Sequence, residues 1–384
     1  VKETLDTARG LEGLRRQDSI HAAAVVITPV PVTDVVPIQQ KGDQAEVVTQ
    51  YEMHGVEDLG LLKMDFLGLR TLTIIDRALD LVERSTGGRP DIDNVDLDDD
   101  KTFDLLRRGD TVGVFQLESS GLQGLIKKLE PDRFNDIIAV NALYRPGPLG
   151  ADMHTMYVER KHGRQEVEYD HPELETILGD TYGIMVYQEQ VMQVAQQIAG
   201  FSMAEADGLR KAMGKKIASV MAAEEEKFIA GSVANGTEAE HARELFGFIE
   251  HFAGYGFNKS HSAAYALVAY QTAWLKVHYP AEYMAALLTA VKRDKDRTAL
   301  YLHECRQMGL RVLVPDVNRS DVDFSAVDGD ITFGMSAIRN VGEAVVRPII
   351  AERKRSGLYK SFDDFINRVD LTVLNKRTID SLIK

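Results

Sequence analysis

The sequence predicts an α+β multidomain protein: a small sheet-bearing unit, a large helical unit, and a third unit beginning near residue 311. Three observations carry this. Apolar β-branched runs bounded by prolines and polar turns occupy the first 70 or so positions. Helical periodicity with capping residues and glycine or proline stops fills most of the stretch from 72 to 295. Short strand-like runs then return from Val312 onward. A chain of 384 residues has room for two or three domains with buried cores.

Taken in order, Ala22-Ala-Ala-Val-Val-Ile-Thr28 reads as a buried strand ended by Pro29 and Pro31, and Leu61 to Leu69 as a second strand. A polar, turn-rich stretch around Lys41-Gly-Asp43 lies between them. Thr73-x-x-Asp76 resembles a capping box, and Leu72, Ile75, Leu79 and Val82 share one helical face until Gly87-Gly88 and Pro90. Ser202-x-x-Glu205 is a second capping box, opening a helix expected to stop at Gly214. Further helices are expected through Phe228, from about Glu238 to His251, from Ser260 to Tyr279, and beyond Pro280 to about Val291. Arg311–Val314 and Asp330–Phe333 read as strands, followed by two short helices around Asn340-Val-Gly342. The chain opens on Val1 and closes inside a helix-like run at Lys376-Arg-Thr-Ile-Asp-Ser-Leu-Ile-Lys384, so both ends read as cut.

Composition narrows the function classes. The sequence is 44% hydrophobic and 27% charged, ordinary for a globular protein, with no run of the roughly 18 apolar residues that a membrane span needs. One cysteine, Cys305, excludes an internal disulfide and suits a reducing cytoplasm. A net charge of -14 argues against nucleic acid on its face, yet only the local field at a binding surface has to be positive. Basic clusters do occur, at Arg160-Lys-His-Gly-Arg164, at Arg210-Lys211 with Lys215-Lys216, and at Arg353-Lys-Arg355. Each taken singly reads as a solvated charged face.

The candidate chemistry lies in four places. In Leu61-Leu-Lys-Met-Asp-Phe-Leu-Gly68, strand alternation puts Lys63 and Asp65 on one face and Leu62, Met64 and Phe66 on the other. The carboxylate suits a hard cation held against phosphates and the lysine suits phosphate charge, while from spacing alone an ion pair on a half-exposed face comes first. Gly254-Tyr-Gly-Phe-Asn-Lys-Ser-His261 couples glycines, aromatics and a cation to a helix start that Ser260 can cap, where free N–H groups attract anions. The plainer reading is a capped turn with core aromatics. Arg210 and Lys211 complement the last turn of their helix or meet a phosphate. Tyr144-Arg-Pro-Gly-Pro-Leu149 is a rigid turn whose Arg145 is either a loop residue or a nucleic-acid contact. Asp316, Asp321 and Asp323 form an acidic group that we discount, since it sits in a turn-like stretch with no basic or glycine-rich partner in sequence. The dispersed histidines show no zinc-ligand spacing, and Walker, GxSxG and Rossmann patterns are not found.

Seven runs resemble the alpha subunits of bacterial DNA polymerase III, in that family's order. They are His21-Ala-Ala-Ala-Val-Val-Ile27, Leu62-Lys-Met-Asp-Phe-Leu-Gly-Leu-Arg-Thr71, Val114-Phe-Gln-Leu-Glu-Ser119 and Tyr144-Arg-Pro-Gly-Pro-Leu149. They continue with Tyr182-Gly-Ile-Met-Val-Tyr-Gln-Glu-Gln-Val-Met192, Arg210-Lys-Ala-Met-Gly-Lys-Lys216 and Phe252-Ala-Gly-Tyr-Gly-Phe-Asn-Lys-Ser-His-Ser-Ala-Ala-Tyr-Ala266. The Asn258-Lys-Ser-His261 form resembles the replicative branch more than the error-prone paralogue. The resemblance implies a palm similar to that of polymerase beta, built on a mixed sheet, in residues 1–72 together with the end of a thumb. It implies helical fingers in 73–310 and the start of a tandem helix-hairpin-helix region in 311–384. It implies template-directed addition of deoxynucleotides to a primer 3′ end by a two-metal mechanism with Mg²⁺. Asp65 then matches a metal-binding catalytic carboxylate and Lys63 a triphosphate contact. Arg210 and Lys211 match a basic pair facing the incoming nucleotide, where the family usually has two arginines. Tyr255, Phe257, Ser260 and His261 lie against that nucleotide, with His261 helping to exclude a 2′-hydroxyl.

Phe333-Gly-Met-Ser-Ala-Ile-Arg-Asn-Val-Gly-Glu343 resembles a helix-hairpin-helix, and Leu374-Asn-Lys-Arg377 the start of a second copy. With Arg145, Lys215 and Lys216, the residues Asn340, Gly342, Lys376 and Arg377 become the expected DNA contacts. The partners implied are primer–template DNA, deoxynucleoside triphosphates and, for the whole polypeptide, a sliding clamp, a clamp loader and other replisome subunits, in the cytoplasm and away from membranes. The family's paired aspartates are expected upstream of Val1, so the chain is expected to be inactive alone. A glycine is common in the family where Ala24 stands. Two other readings remain: a non-catalytic module that binds primer–template and nucleotide, and the error-prone paralogue.

Overall fold

The computed structural model describes residues 2–14, 19–40, 46–215, 218–252, 255–370 and 374–383, with side chains at 214–220 excepted. The Lys41-Gly-Asp43 turn, Lys216 and Gly254 therefore lie outside the described residues. Two compact units emerge, 1–70 and 71–384.

The first unit opens on a helix, Lys2–Leu11, with no buried residue. Its centre is an antiparallel pair, β1 (Ala24–Ile27) with β4 (Leu62–Asp65), in the register Ala24 opposite Asp65 and Val26 opposite Lys63. A second antiparallel pair joins β2 (Ile38–Gln40) to β3 (Val47–Thr49). Val36, Val56 and Leu61 form the small core, with Val26, Val32 and Val35 packed on it. The first apolar run is shorter and less buried than its composition suggests. Only alternate residues of β1 are partly covered, because a two-stranded sheet screens one face; Val25, Ile27, Leu62, Met64 and Phe66 remain exposed. The second strand also stops early. After Phe66 N–H bonds to the Ala23 carbonyl, Asp65 Oδ1 accepts the Leu67 N–H at 3.0 Å, and that turn carries the backbone out of the ladder.

The second unit is helical with one small mixed sheet. Its leading helix runs Arg70–Thr86, so Thr73 lies inside it and caps nothing. Ile74, Ile75, Ala78, Leu79 and Val82 make the buried face, and Leu72 is exposed. The long helix Lys259–His278 organises one core, packing through Ala266, Ala269, Tyr270 and Ala273 onto the helices Asp100–Arg108 and Phe134–Leu143. A neighbouring core is built from Gln188–Ala199, Met203–Lys215, Ala218–Ala234 and Ala239–Phe252. Ser202 and Glu205 form the expected capping box: Ser202 N–H donates to Glu205 Oε2 at 2.8 Å, and Glu205 N–H to Ser202 Oγ at 3.3 Å. Pro280 starts the Pro280–Val291 helix, where a missing N–H costs nothing.

Beyond it, β5 (Val312–Leu313) runs parallel to β7 (Asp330–Thr332), which pairs antiparallel with β6 (Ser325–Val327). The two helices expected near Asn340 differ in kind. One is a single 3₁₀ turn, Met335–Ala337, and the other is the 14-residue helix Glu343–Ser356 with Pro348 inside it. Phe362–Arg368 and Lys376–Ile383 follow, sharing a core of Met335, Val341, Val346, Ile349, Tyr359 and Phe365.

Candidate nucleotide and nucleic-acid site

In the first unit, Asp65 and Lys63 occupy one face of β4, as alternation requires. Asp65 is exposed: its Oδ1 takes the Leu67 N–H, and its Oδ2 lies 3.7 Å from His21 Nε2. His21 Nδ1 accepts the N–H groups of Ala23 and Ala24, at 3.2 and 2.9 Å. A neutral imidazole arranged this way carries its proton on Nε2, toward the carboxylate. Sequence reading placed His21 in a motif without seeing this neighbour, which only strand pairing reveals. Lys63 Nζ lies 3.2 Å from Met53 Sδ. Among the described residues no group of three or more histidine, cysteine or carboxylate side chains could hold a metal. Asp65 supplies one carboxylate, so the described residues do not form a magnesium site by themselves.

In the second unit, Arg210 and Lys211 lie on a helix that continues to Lys215, past the stop expected at Gly214. Both are already partnered. Asp207 accepts from Arg210 Nε and Nη2 at 2.9 and 2.8 Å and from Lys211 Nζ at 2.7 Å. These contacts hold the Asp207 carboxyl below its ordinary pKa, Lys211 first and Arg210 second. The spacing of Asp207 one turn earlier was the available signal.

The aromatic loop is the most closely built part. Phe257 N–H bonds to the Val186 carbonyl at 3.2 Å and Gln188 N–H to the Phe257 carbonyl at 2.9 Å, a short parallel bridge fastening the loop to the Gln188–Ala199 helix. Asn258 caps the following helix, its Oδ1 accepting His261 N–H at 2.7 Å; Ser260, the expected cap, lies inside that helix. The first N–H, of Lys259, is also taken, by Glu189. This helix start is thus less open to an outside anion than the sequence suggested. Arg145 does not reach outward either. Its Nη2 donates to the Tyr255 carbonyl at 2.6 Å, its Nε to the Ala142 carbonyl at 2.8 Å, and its guanidinium stacks 4.2 Å over the Phe257 ring. Burial lowers its pKa, consistent with a clamp inside the fold. The Tyr255 ring presses on Gly147, where a Cβ would come within 2.4 Å of Cδ1.

Phe257, His261 and Tyr265 form an aromatic row: Phe257 meets His261 edge-on at 5.4 Å, and His261 stacks on Tyr265 at 4.3 Å and 27°. They border a cleft of about 280 Å³ shared with Gln116, Asn141 and Arg145.

At the C-terminal end, Asn340 sits at φ +67° in the hairpin turn and Gly342 caps the helix that follows. Asn340 Nδ2 donates to Ser381 Oγ at 3.2 Å, and its carbonyl accepts from Thr378 Oγ1 at 3.3 Å. The turn is thereby joined to the Lys376–Ile383 helix, whose first turn bears the exposed Lys376 and Arg377. The discounted acids prove to be tied into the fold. Asp323 bonds to Lys292 at 2.7 Å, a basic partner invisible in sequence, and Asp316 Oδ1 accepts the Asn318 N–H at 2.7 Å. Other basic clusters are similarly engaged: Arg164 with Glu159, Arg355 with Glu352, and Arg353 with the carbonyls of Val317 and Ser320.

Comparison with known families finds three matches along the chain. In chain order, residues 1–68 match the bacterial DNA polymerase III alpha NTPase domain, 71–236 the bacterial DNA polymerase III alpha subunit finger domain, and 309–384 a helix-hairpin-helix motif. The chain belongs to the bacterial DNA polymerase III alpha subunit family. Over its whole length it is 51% identical to a DNA polymerase III subunit alpha of Thermus aquaticus, 50% to that of Saccharopolyspora erythraea and 47% to that of Escherichia coli K12. It spans about a third of each, 32%, 32% and 34% of their lengths. No described helix is long and apolar enough to cross a membrane.

Proposed function

We propose that, within the whole polypeptide, this chain serves a DNA-directed DNA polymerase that extends primer 3′ ends in chromosomal replication. The observation that supports it best is the placement of Asp65 and Lys63 on one face of the same strand, in a chain of this family. Residues 1–72 are then the end of the thumb and part of the palm, 73–310 the fingers, and 311–384 the start of the tandem helix-hairpin-helix region. Asp65 contributes one carboxylate to a magnesium site completed by acids elsewhere in the polypeptide. Lys63, Arg210 and Lys211 meet the triphosphate, and Tyr255, Phe257, Ser260 and His261 border the incoming nucleotide, His261 on its sugar side.

Asn340, Gly342, Lys376 and Arg377 grip the DNA backbone, with Lys215 and Lys216 assisting. Lys376 and Arg377 sit at a helix start, where the helix dipole disfavours cations, so an external phosphate is the natural partner. Arg145 acts indirectly, by holding the nucleotide-facing loop. Sliding clamp, clamp loader and other replisome subunits in the cytoplasm complete the reading.

Primer extension by the full-length polymerase, with DNA binding measured in parallel, tests it. Asp65→Ala should bind primer–template yet lose on the order of 10³-fold in rate, about 4 kcal/mol of barrier. Extension at the parental rate would remove Asp65 from the active site. The chain by itself, with one candidate carboxylate, should not extend primers.

A further inference from the structure

Glu189 lies in the first turn of the Gln188–Ala199 helix, yet its carboxylate reaches to a different one. Oε1 accepts the Lys259 N–H at 3.0 Å and an Asn258 Nδ2 proton at 3.1 Å, while Oε2 accepts the same Lys259 N–H at 2.9 Å. Asn258 passes the constraint on, since its Oδ1 takes the His261 N–H at 2.7 Å. The Lys259 ammonium rests 5.3 Å over the Tyr187 ring, a further tie between the same two segments. One side chain therefore fixes the start of the Lys259–His278 helix and, through Asn258, the backbone of His261.

Hydrogen bonds from backbone N–H groups to a carboxylate are about twice as strong as neutral ones, and a helix N-terminus favours a negative charge. Glu189 supplies both effects from within the chain. With the Lys259 N–H so occupied, the helix start contributes its aromatic row, whose position the carboxylate sets.

We propose that Glu189 is a positioning residue for sugar discrimination, holding His261 at the height where it meets the 2′ side of the nucleotide. The inference rests on the proposed placement of His261 against the sugar, so its test includes that placement. In the full-length polymerase, the ratio of kcat/KM for deoxynucleotide over ribonucleotide is measured for Glu189→Asp, Glu189→Gln and His261→Ala. Asp keeps the charge in the first turn of the Gln188–Ala199 helix but is one methylene short of Lys259. Gln loses the charge but keeps the reach and one acceptor oxygen.

Positioning by reach predicts that E189D lowers the ratio roughly tenfold, inside the ~100-fold that a 1 Å misplacement can cost. E189Q should lower it less than E189D, since it keeps the reach while its bonds to Lys259 and Asn258 weaken. The reverse order, with E189Q impaired and E189D parental, would show that charge alone matters and would overturn the proposal, as would two parental ratios. H261A should lower the ratio at least as far as E189D. A parental ratio for H261A sinks the sugar placement itself and the inference with it, whereas a low ratio for H261A with a parental one for E189D sinks the inference alone. A uniform loss on both nucleotides, with the ratio unmoved, marks Glu189 as structural only.

Discussion

Arg210 donates to Asp207 through both Nε and Nη2, at 2.9 and 2.8 Å, and so arrives at the proposed triphosphate site already aimed. Lys211 shares the same carboxylate through a single Nζ contact of 2.7 Å. The two cations are therefore unequal, because a guanidinium fork holds one orientation and an ammonium on a flexible stem does not. In the full-length polymerase, Arg210→Ala should raise the nucleotide KM roughly tenfold, the loss of about one charge-assisted bond. Lys211→Arg should be tolerated. Steady-state incorporation at varied nucleotide concentration measures both, and an unchanged KM for R210A would leave the Asp207 cluster a purely structural device.

The second prediction concerns acid. Glu205 accepts from Lys227 and from the Ser202 N–H, contacts that push its pKa down to about 2 from its ordinary 4.5. A carboxyl depressed in the folded state stabilises it fully above the unfolded value and loses that contribution as pH falls toward the folded one. Thermal melts of the chain between pH 7 and pH 3 should therefore show part of their acid sensitivity vanish in Glu205→Gln, which should already be less stable at pH 7. Parallel curves for the two proteins would mean the contact is too solvent-screened to matter.

How far the sequence carried this molecule depends on the range of the interaction concerned. Local chemistry was legible: the Ser202–Glu205 box, the Pro280 restart and the alternation of Lys63 and Asp65 all depend on neighbours a few positions apart. Features set by distant partners were not. Asn258 displaced Ser260 as cap because Glu189, 69 residues away, draws its side-chain amide and fixes where the helix starts. Arg145 read as a loop cation, and only the approach of Tyr255 and Phe257 shows its guanidinium turned inward. Burial misled in the same way at Val25 and Ile27, since composition cannot say how many strands a sheet has.

A third prediction follows from Lys276, almost fully buried in the Lys259–His278 helix. Its ammonium donates to the carbonyls of Asp110 and Val112, at 2.7 and 2.8 Å, and to Glu304 at 2.6 Å. Burial lowers its pKa despite that carboxylate. Lys276→Met leaves Glu304 and two carbonyls without their donor and should cost roughly 3–5 kcal/mol, as breaking a buried pair does. Adding Glu304→Gln should recover part of the loss. Urea denaturation of the parent and both variants measures this, and a loss below about 1 kcal/mol for K276M would show that water replaces the ammonium.

The last prediction concerns why a glycine occupies position 121, in the first turn of a helix that Ser119 already caps. A Cβ there would fall 1.8 Å from Tyr144 Oη and 3.0 Å from Cζ, so the conflict lies chiefly with one hydroxyl. Tyr144 leads into the Arg145-Pro-Gly-Pro turn, and both residues border a cleft of about 690 Å³. Gly121→Ala gains helix propensity, worth about 1 kcal/mol, but must displace the tyrosine, and overpacking of this kind costs about 1–3 kcal/mol. The balance predicts net destabilisation for G121A. Tyr144→Phe removes the offending oxygen, so the double variant should be more stable than G121A, with a coupling of about 1 kcal/mol or more in a double-mutant cycle from urea midpoints at constant m. Additive changes would mean that Tyr144 swings aside without cost, and that something other than its hydroxyl requires the glycine.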